Sequence, residues 1–266
     1  MMTPTACSDV KQNAAPGVRL IGSPDETWNF DQQCATLGLS PHRAASADES
    51  EPDETPLLQA GPATIETISH SLSLPFSGFL ETCPNGLAGI TQRCIKTARA
   101  GGLVLSLTSA TACTLPVVEL ISIAIRRRLA LPDGEVAELM EICLGEAVSN
   151  AVIHGNLEIP NHLRATPKGF ESFRQIMRER LCDQTMASRR IEVHALRDGE
   201  LSFTLFVSDQ GGGFNLESKL EKETRVDAHS GRGLGLIRRA CARIGSEDGG
   251  RTLVMTFPRL CIAQGN

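Results

Sequence analysis

The 266-residue chain reads as an α/β protein, and three observations carry that reading. Strand-like alternation over Leu103 to Ala110 gives way to helical periodicity over Leu115 to Leu129 and again beyond Glu135. Ile191 to Leu196 and Leu201 to Val207 read as two strands joined around Asp198-Gly199, with a last strand at Thr252 to Phe257. Two glycine-rich segments, one directly after a strand and one opening a helix, punctuate the second half.

Composition bounds the rest. A hydrophobic share of 41% supports a sizeable core, and 21% charged residues is ordinary. The formal charge of -5 gives no support for nucleic-acid or anionic-membrane binding. Tyr is absent and Trp28 is the one Trp, so platforms for stacking bases are scarce. Nine cysteines, odd in number and without a Cys-x-x-Cys pair, argue against a disulfide framework or a zinc site and suit a reducing cytoplasm. The start, Met1-Met2-Thr3-Pro4-Thr5, lacks a basic region followed by an apolar one, so no signal peptide is read. Leu103 to Ile125 is apolar, but Ser106, Thr108, Pro116 and Glu119 interrupt it, and it is assigned to the core rather than to a membrane span.

Taken in order, residues 1–16 are polar and read as disordered. Val18 to Ile21 reads as a short strand, and Asp25 to Leu37 as a helix capped at Ser23 or Asp25. Residues 40–62, which include the Ser-, Pro- and acid-rich run Ala47 to Pro56, read as a solvated loop. Ala63 to Ile68 is expected as a strand, and Leu87 to Ala100 as a helix ending at Gly101-Gly102. Residues 17–102 therefore form an N-terminal extension, read as a small degenerate receiver-like α/β unit without a clustered acidic pocket. A second domain spans 103–266. Arg126, Arg127 and Arg128 suit the negative end of a helix dipole and read as a solvated helix end. Leu131 to Glu135 is a turn that opens the next helix, and Gly155-Asn156 is expected to close that helix as a left-handed cap. The charged 157–190 stretch holds one helix, Phe170 to Leu181. Residues 216–230 are polar without a period and are expected as a mobile loop, and the helix after Gly231 is expected to end near Ile244-Gly245.

Three segments carry chemistry. Glu146-Ala-Val-Ser-Asn150-Ala-Val-Ile-His154-Gly155-Asn156 places a carboxylate and a carboxamide one turn apart in a long amphipathic helix. Met140, Cys143, Ala147 and Ala151 form the adjoining apolar arc, so the polar pair borders a buried face; taken alone, a surface i, i+4 pair is the readier explanation. Asp209-x-Gly211-x-Gly213-Phe214 ends a strand with a fixed carboxylate, able to accept from the exocyclic amine of adenine, and with glycines that admit a ligand to the backbone. An ordinary glycine-rich turn with a capping Asp is the plain alternative. Gly231-x-Gly233-x-Gly235 opens a helix, where backbone N–H groups and the helix dipole favour anions. It does not follow the first strand of a βαβ unit, and the chain holds no Gly-x4-Gly-Lys-Ser/Thr, which excludes the Rossmann and P-loop readings.

In this order the segments resemble the GHKL ATP-binding superfamily, the gyrase and histidine-kinase type, over residues 103–258. The Glu146 to Asn156 motif looks most like the anti-sigma regulatory factor serine/threonine kinases. The resemblance implies a two-layer α/β sandwich, the Bergerat ATP-binding fold, with a mixed sheet, helices on one face, and ATP with Mg²⁺ beneath a lid at 216–230. It implies that Asn150 is the side-chain ligand of Mg²⁺ and Glu146 the general base. Asp209 would hold adenine, with Gly211 and Gly213 giving close approach and Thr256 assisting through a water. Gly231, Gly233, Leu234 and Gly235 would wrap the phosphates by their backbone, with Arg225 or Arg232 meeting the γ-phosphate. His154 reads as a satisfied helix-end histidine, and His42, His70, His162, His194 and His229 are isolated, without metal-ligand spacing.

The function implied first is a partner-switching serine/threonine protein kinase, engaging a sigma factor or similar regulator and phosphorylating a small antagonist protein. A homodimer is compatible with it; nucleic-acid and membrane partners are not expected. The alternatives are a non-catalytic ATP-dependent binding regulator and, third, a histidine-kinase catalytic domain. The third lacks an upstream dimerisation helix with a phosphoacceptor His, since His70 has neither helical context nor a neighbouring acid.

Overall fold

The computed structural model describes residues 17–22, 29–42, 55–161, 163, 167–225 and 233–259. The expected disordered start at 1–16, the greater part of the acidic run, and Gly231 and Arg232 lie outside the described residues. The first half runs β1 (Arg19–Ile21), α1 (Phe30–Leu37), β2 (Ser40–His42), β3 (Leu57–Gly61), α2 (Ile65–Ser71), β4 (Phe76–Glu81), α3 (Gln92–Arg99) and β5 (Leu103–Thr108). The second half continues with α4 (Ser109–Thr114), α5 (Val117–Leu129), α6 (Glu135–Asn150), α7 (Pro167–Cys182), α8 (Gln184–Ala187), β6 (Arg190–Asp198), β7 (Ser202–Ser208), α9 (Leu216–Arg225), α10 (Gly233–Ala240), β8 (Arg243–Glu247) and β9 (Thr252–Pro258).

Among the described residues all the strands belong to one nine-stranded sheet, in the order β2-β1-β3-β4-β5-β6-β7-β9-β8. From β2 to β5 neighbouring strands are parallel, and from β5 to β8 they are antiparallel. The parallel part has the 2-1-3-4-5 order of flavodoxin-like sheets. Leu103–Thr108 is the hinge of the design: it pairs with β4 on one edge and with β6 on the other.

Alternation along the strands divides the side chains between two layers. Leu103, Leu105, Leu107, Ile191, Val193, Phe203, Leu205, Met255 and Phe257 face a core shared with α2, α5, α6 and α10. Phe203 and Phe257 stack there at 5.4 Å between ring centroids. Leu20, Leu58, Leu80 and Val104 face the other side, where α1 and α3 bring Cys34, Cys94, Ile95 and Ala98. The mixed sheet is thus the expected one, with the helices of the second half on one face, and the extension adds two helices behind it. Among the described residues no helix is long and apolar enough to cross a membrane.

Several local expectations are corrected. The 40–62 stretch is not all loop: Ser40–His42 is an edge strand, where Pro41 can sit because its missing N–H faces away from the ladder, and Leu57–Gly61 is an inner one. An inner parallel strand is buried on both faces, so it shows no alternation, and this one follows an acidic run that masks it. Ala63 to Ile68 is not a strand. Thr64 caps α2 through a reciprocal pair in which Thr67 N–H donates to the Thr64 hydroxyl and the Thr67 hydroxyl accepts from Thr64 N–H. The first helix starts at Phe30 rather than Asp25, capped by Asn29, whose side-chain oxygen accepts from Gln32 N–H.

The polar 216–230 stretch is helical over Leu216–Arg225, capped by Asn215; Leu216 is buried and Leu220, one turn on, packs on the core, and that two-residue seam is too thin to show a period. The helix after the last glycines ends at Ala240, and Ile244-Gly245 lies in the edge strand β8, paired with β9. Arg128 is no free helix end, because its guanidinium donates to the Phe76 carbonyl, while Arg126 pairs with Asp133.

Candidate functional site

The site forms where the C-terminal end of α6, the turn after β7 and the start of α10 meet. Helix α6 is anchored by Met140, Cys143, Leu144, Ala147 and Val148, all buried, and this leaves Glu146 exposed and Asn150 half-buried at the rim. Gly233, the first residue of α10, comes against that rim: a Cβ placed on it would overlap Glu146 Oε2 and stand 3.7 Å from Asn150 Nδ2. Leu234 and Ile237 pin α10 by burial in the shared core, so Leu234 can serve a ligand only through its backbone. Glu146, Asn150 and Gly233 are therefore brought together, with Gly235 one helical step further along the same short helix.

The expected left-handed cap at Gly155-Asn156 is not formed. The helix widens instead into a π-helical turn, Ala151–Asn156, closed by a hydrogen bond from Leu157 N–H to the Val152 carbonyl at 2.9 Å. The chain reverses later, at Glu158, whose φ is +52°. The wider turn has a purpose visible in its contacts. Gly155 lies against the Asp209 carboxylate, where a Cβ would stand 2.6 Å from Oδ2, and Gly211 in turn lies on the Gly155 carbonyl. Only glycines allow this approach. Asn156, fully buried, donates from Nδ2 to the Arg190 carbonyl at 2.9 Å and accepts from Gln210 N–H at 2.7 Å. It ties the end of α6 to the start of β6 and to the residue after Asp209.

Asp209 is held by two backbone contacts. Its N–H donates to the Arg251 carbonyl at 2.9 Å, and its Oδ1 accepts from Gly211 N–H at 2.8 Å. Burial pushes the carboxyl up from the ordinary 3.8 to about 6, against the opposing pull of Gly211 N–H, Arg251, Lys219 and Arg189. At neutral pH it remains an ionised acceptor in a poorly hydrated place. Gly213, with φ of +72°, turns the chain beside the Gly249 carbonyl and Arg251.

A cleft of about 520 Å³ opens beside this turn, lined by His154, Glu158, Ile159, Pro160, Asn161, Gly212 and Gly213. His154 is the satisfied helix-end histidine expected: its Nδ1–H donates to the Ile159 carbonyl at 2.5 Å. Glu146, Asn150 and Asp209 do not line the cleft, so it flanks the site rather than containing it.

The sequence profile of the histidine kinase-like ATPase domain matches residues 108–257, more than half of the chain. The chain belongs to that family. A comparison with curated proteins finds no match. The matched span begins at Thr108, the last residue of β5, and takes in every element that builds the site.

Within this ATPase domain the residues present fit an adenine nucleotide with Mg²⁺. Asn150 offers an oxygen donor of the kind the ion takes, and Glu146 stands one turn away on the same helix. Gly233 presents a helix start to them with no side chain in the way, and Asp209 supplies a fixed acceptor on the other side of the π-turn. Thr256 is not brought to the site: it lies on the sheet face opposite Met255 and Phe257, hydrogen-bonded to Thr204 at 3.1 Å. Alternation along β9 explains this, since even-numbered residues there point behind the sheet. Gly231 and Arg232 lie outside the described residues, and Arg225 is the last residue of α9. The residues that sequence reasoning missed are Gly155, Asn156 and Gln210. The sequence offered a signal for Gly155-Asn156, which pointed to a cap, and none for Gln210.

Proposed function

We propose that this ATPase domain binds Mg²⁺-ATP and works as a serine/threonine protein kinase in a partner-switching regulator. The observation that carries the reading is the meeting of Glu146, Asn150 and Gly233 at one rim, with Asp209 fixed across the π-turn. Bound ATP supplies the γ-phosphoryl group, and Mg²⁺ neutralises its developing charge. Asn150 offers its amide oxygen to the ion, and Glu146, one turn away, accepts the proton of an incoming hydroxyl. Asp209 accepts from the adenine amine, and the N–H groups that open α10 face the phosphates. Exposure of Glu146 supports a protein substrate, because its carboxylate can be reached by a hydroxyl carried on another chain. A small antagonist protein would be that substrate and a sigma factor or similar regulator the switched partner, in a cytoplasmic setting. Purification as a homodimer would accord with this reading.

Calorimetric titration of the full chain with ATP, with and without Mg²⁺, tests the nucleotide reading. Magnesium-dependent binding is expected, and no binding at millimolar ATP would overturn it. Glu146→Gln then separates kinase from non-catalytic regulator: ATP affinity should stay while transfer to protein hydroxyls is lost. A parent protein that binds ATP but transfers no phosphate to any partner would favour the binding regulator instead.

A further inference from the structure

Behind the sheet, away from the nucleotide site, Cys94 of α3 meets Glu192 and His194 of β6. These two residues alternate onto one strand face, and α3 lies across them. All three side chains are buried, at 0%, 2% and 0% exposure for Cys94, Glu192 and His194. One ligand-type atom from each lies within 4.8 Å of the others. His194 Nε2 stands 3.4 Å from Cys94 Sγ and 3.8 Å from Glu192 Oε2. Around a tetrahedral ion with N, O and S bonds of about 2.0–2.3 Å, such ligand atoms stand roughly 3.3–3.6 Å apart. The sulfur–nitrogen spacing falls within that range, the nitrogen–oxygen spacing lies 0.2 Å beyond it, and a small inward movement of the side chains would close the set.

We propose that Cys94, Glu192 and His194 form a buried binding site for a zinc-like divalent transition-metal ion, one that joins the N-terminal extension to the ATPase domain. Glu192 accepts from Thr91, and the Cys94 thiol has the carboxylate as well as the imidazole beside it, so His194 is the group that hydrogen bonding serves least. A single proton can lie between Sγ and Nε2, and 3.8 Å is too long for one between Nε2 and the carboxylate. Among the described residues His194 Nδ1 has no hydrogen-bond partner, so the ring's polar engagement there is on the side where Cys94 and Glu192 stand. A thiolate, a carboxylate and a neutral imidazole balance the charge of a divalent ion, and the buried Arg190 guanidinium beside them is held by the Ala88 and Gly86 carbonyls. Glu192 is already oriented for it: Thr91 N–H donates to Oε1 at 2.9 Å and the Thr91 hydroxyl donates to Oε2. A water would take the fourth position. Uptake displaces the Cys94 thiol proton, which leaves to solvent as the sulfur–metal bond forms. The site is independent of the nucleotide and works by holding α3 to β6.

The test uses the purified full chain without nucleotide. Elemental analysis should find one zinc ion per chain, and exchange with Co²⁺ should give a thiolate-to-cobalt absorption band with the visible bands of a tetrahedral ion. Cys94→Ser should abolish the thiolate band, His194→Gln should lower stoichiometry well below one, and Cys143→Ser should change neither. X-ray absorption on the zinc-loaded parent, which needs no variant, should show one sulfur among lighter ligands. Absence of bound metal after zinc or cobalt titration, or a thiolate band that survives Cys94→Ser, would overturn the proposal. Failure of ATP binding would leave this result untouched.

Discussion

On one side of the sheet Leu105, Val193, Leu205 and Met255 lie under α5, α6 and α10 in an apolar layer, and the polar groups that matter stand at its rim. Behind it Arg190, Glu192, His194 and Ser106 are buried in the sheet itself. Apart from His194 Nδ1, these groups are engaged within the chain. Arg190 donates to the Ala88 carbonyl at 2.7 Å, Glu192 accepts from Thr91, and Gln210 donates to the Gly89 carbonyl at 2.8 Å. At the front, neither Glu146 nor Asn150 has a side-chain hydrogen bond among the described residues. Polar atoms satisfied internally hold a structure together, and polar atoms left at a rim with room in front of them are available to a ligand. The front side leaves polar groups open at its rim, and the back joins the two halves of the sheet.

That contrast gives an order of expected effects. Glu146→Gln should lower phosphoryl transfer by roughly 10²–10⁴-fold with unchanged ATP affinity, measured by radiolabel transfer beside calorimetry. Loss of affinity as well would make the residue structural. Asn150→Ala should weaken Mg²⁺-ATP by roughly 100-fold while thermal unfolding of the free protein stays put; unchanged affinity would remove its metal role.

Asp209→Asn should cost about 10–100-fold in ATP affinity, the worth of a hydrogen bond to a charged acceptor, and equal binding of ATP and GTP by the parent would count against an adenine-reading role. The same residue predicts a pH effect. Its folded pKa, about 6, is raised above the ordinary 3.8, so its stability contribution is present below about pH 4 and lost as pH rises through 6. Adenine recognition has the opposite sign, because the acceptor must be ionised. At pH 5 about a tenth remains ionised, and ATP affinity should fall roughly tenfold from its value at pH 7.5.

Where polar groups are satisfied within the chain, the effects should be on stability. Asn156→Ala strands the Gln210 N–H and the Arg190 carbonyl and should cost about 1–3 kcal/mol in chemical denaturation. A merely local loss of ATP affinity, without destabilisation, would place Asn156 with the front instead. Arg93→Ala is the smallest case. Arg93 pairs with Glu247 at 2.7 Å and Asp248 at 3.0 Å near the surface and lies over the Phe206 ring, and its loss should cost about 1 kcal/mol or less.

The second half was legible because its signals are local. The Glu146 to Asn156 motif, the strand pair around Asp198-Gly199 and Gly233-Leu234-Gly235 each express their chemistry within a few residues, and the family match covers the same span. The first half was harder to read, since Leu57–Gly61 is buried on both faces and Ile65–Ser71 owes its helix to one capping pair of threonines. Spacing along the chain leaves His194 isolated, because Cys94, which it meets, lies on a helix about a hundred residues away.

The sequence by itself determined the class of the fold, the order of its motifs and the chemical kind of the site, because periodicity and short-range residue choice act through neighbouring backbone. Tertiary structure alone decided that the extension and the ATPase domain share one sheet through Leu103–Thr108, that Thr256 turns away from the site, and that a π-turn sets Gly155 against Asp209. These depend on strand pairing and close approach between residues far apart in the chain. No local pattern records such contacts, because their energy exists only once both partners are in place.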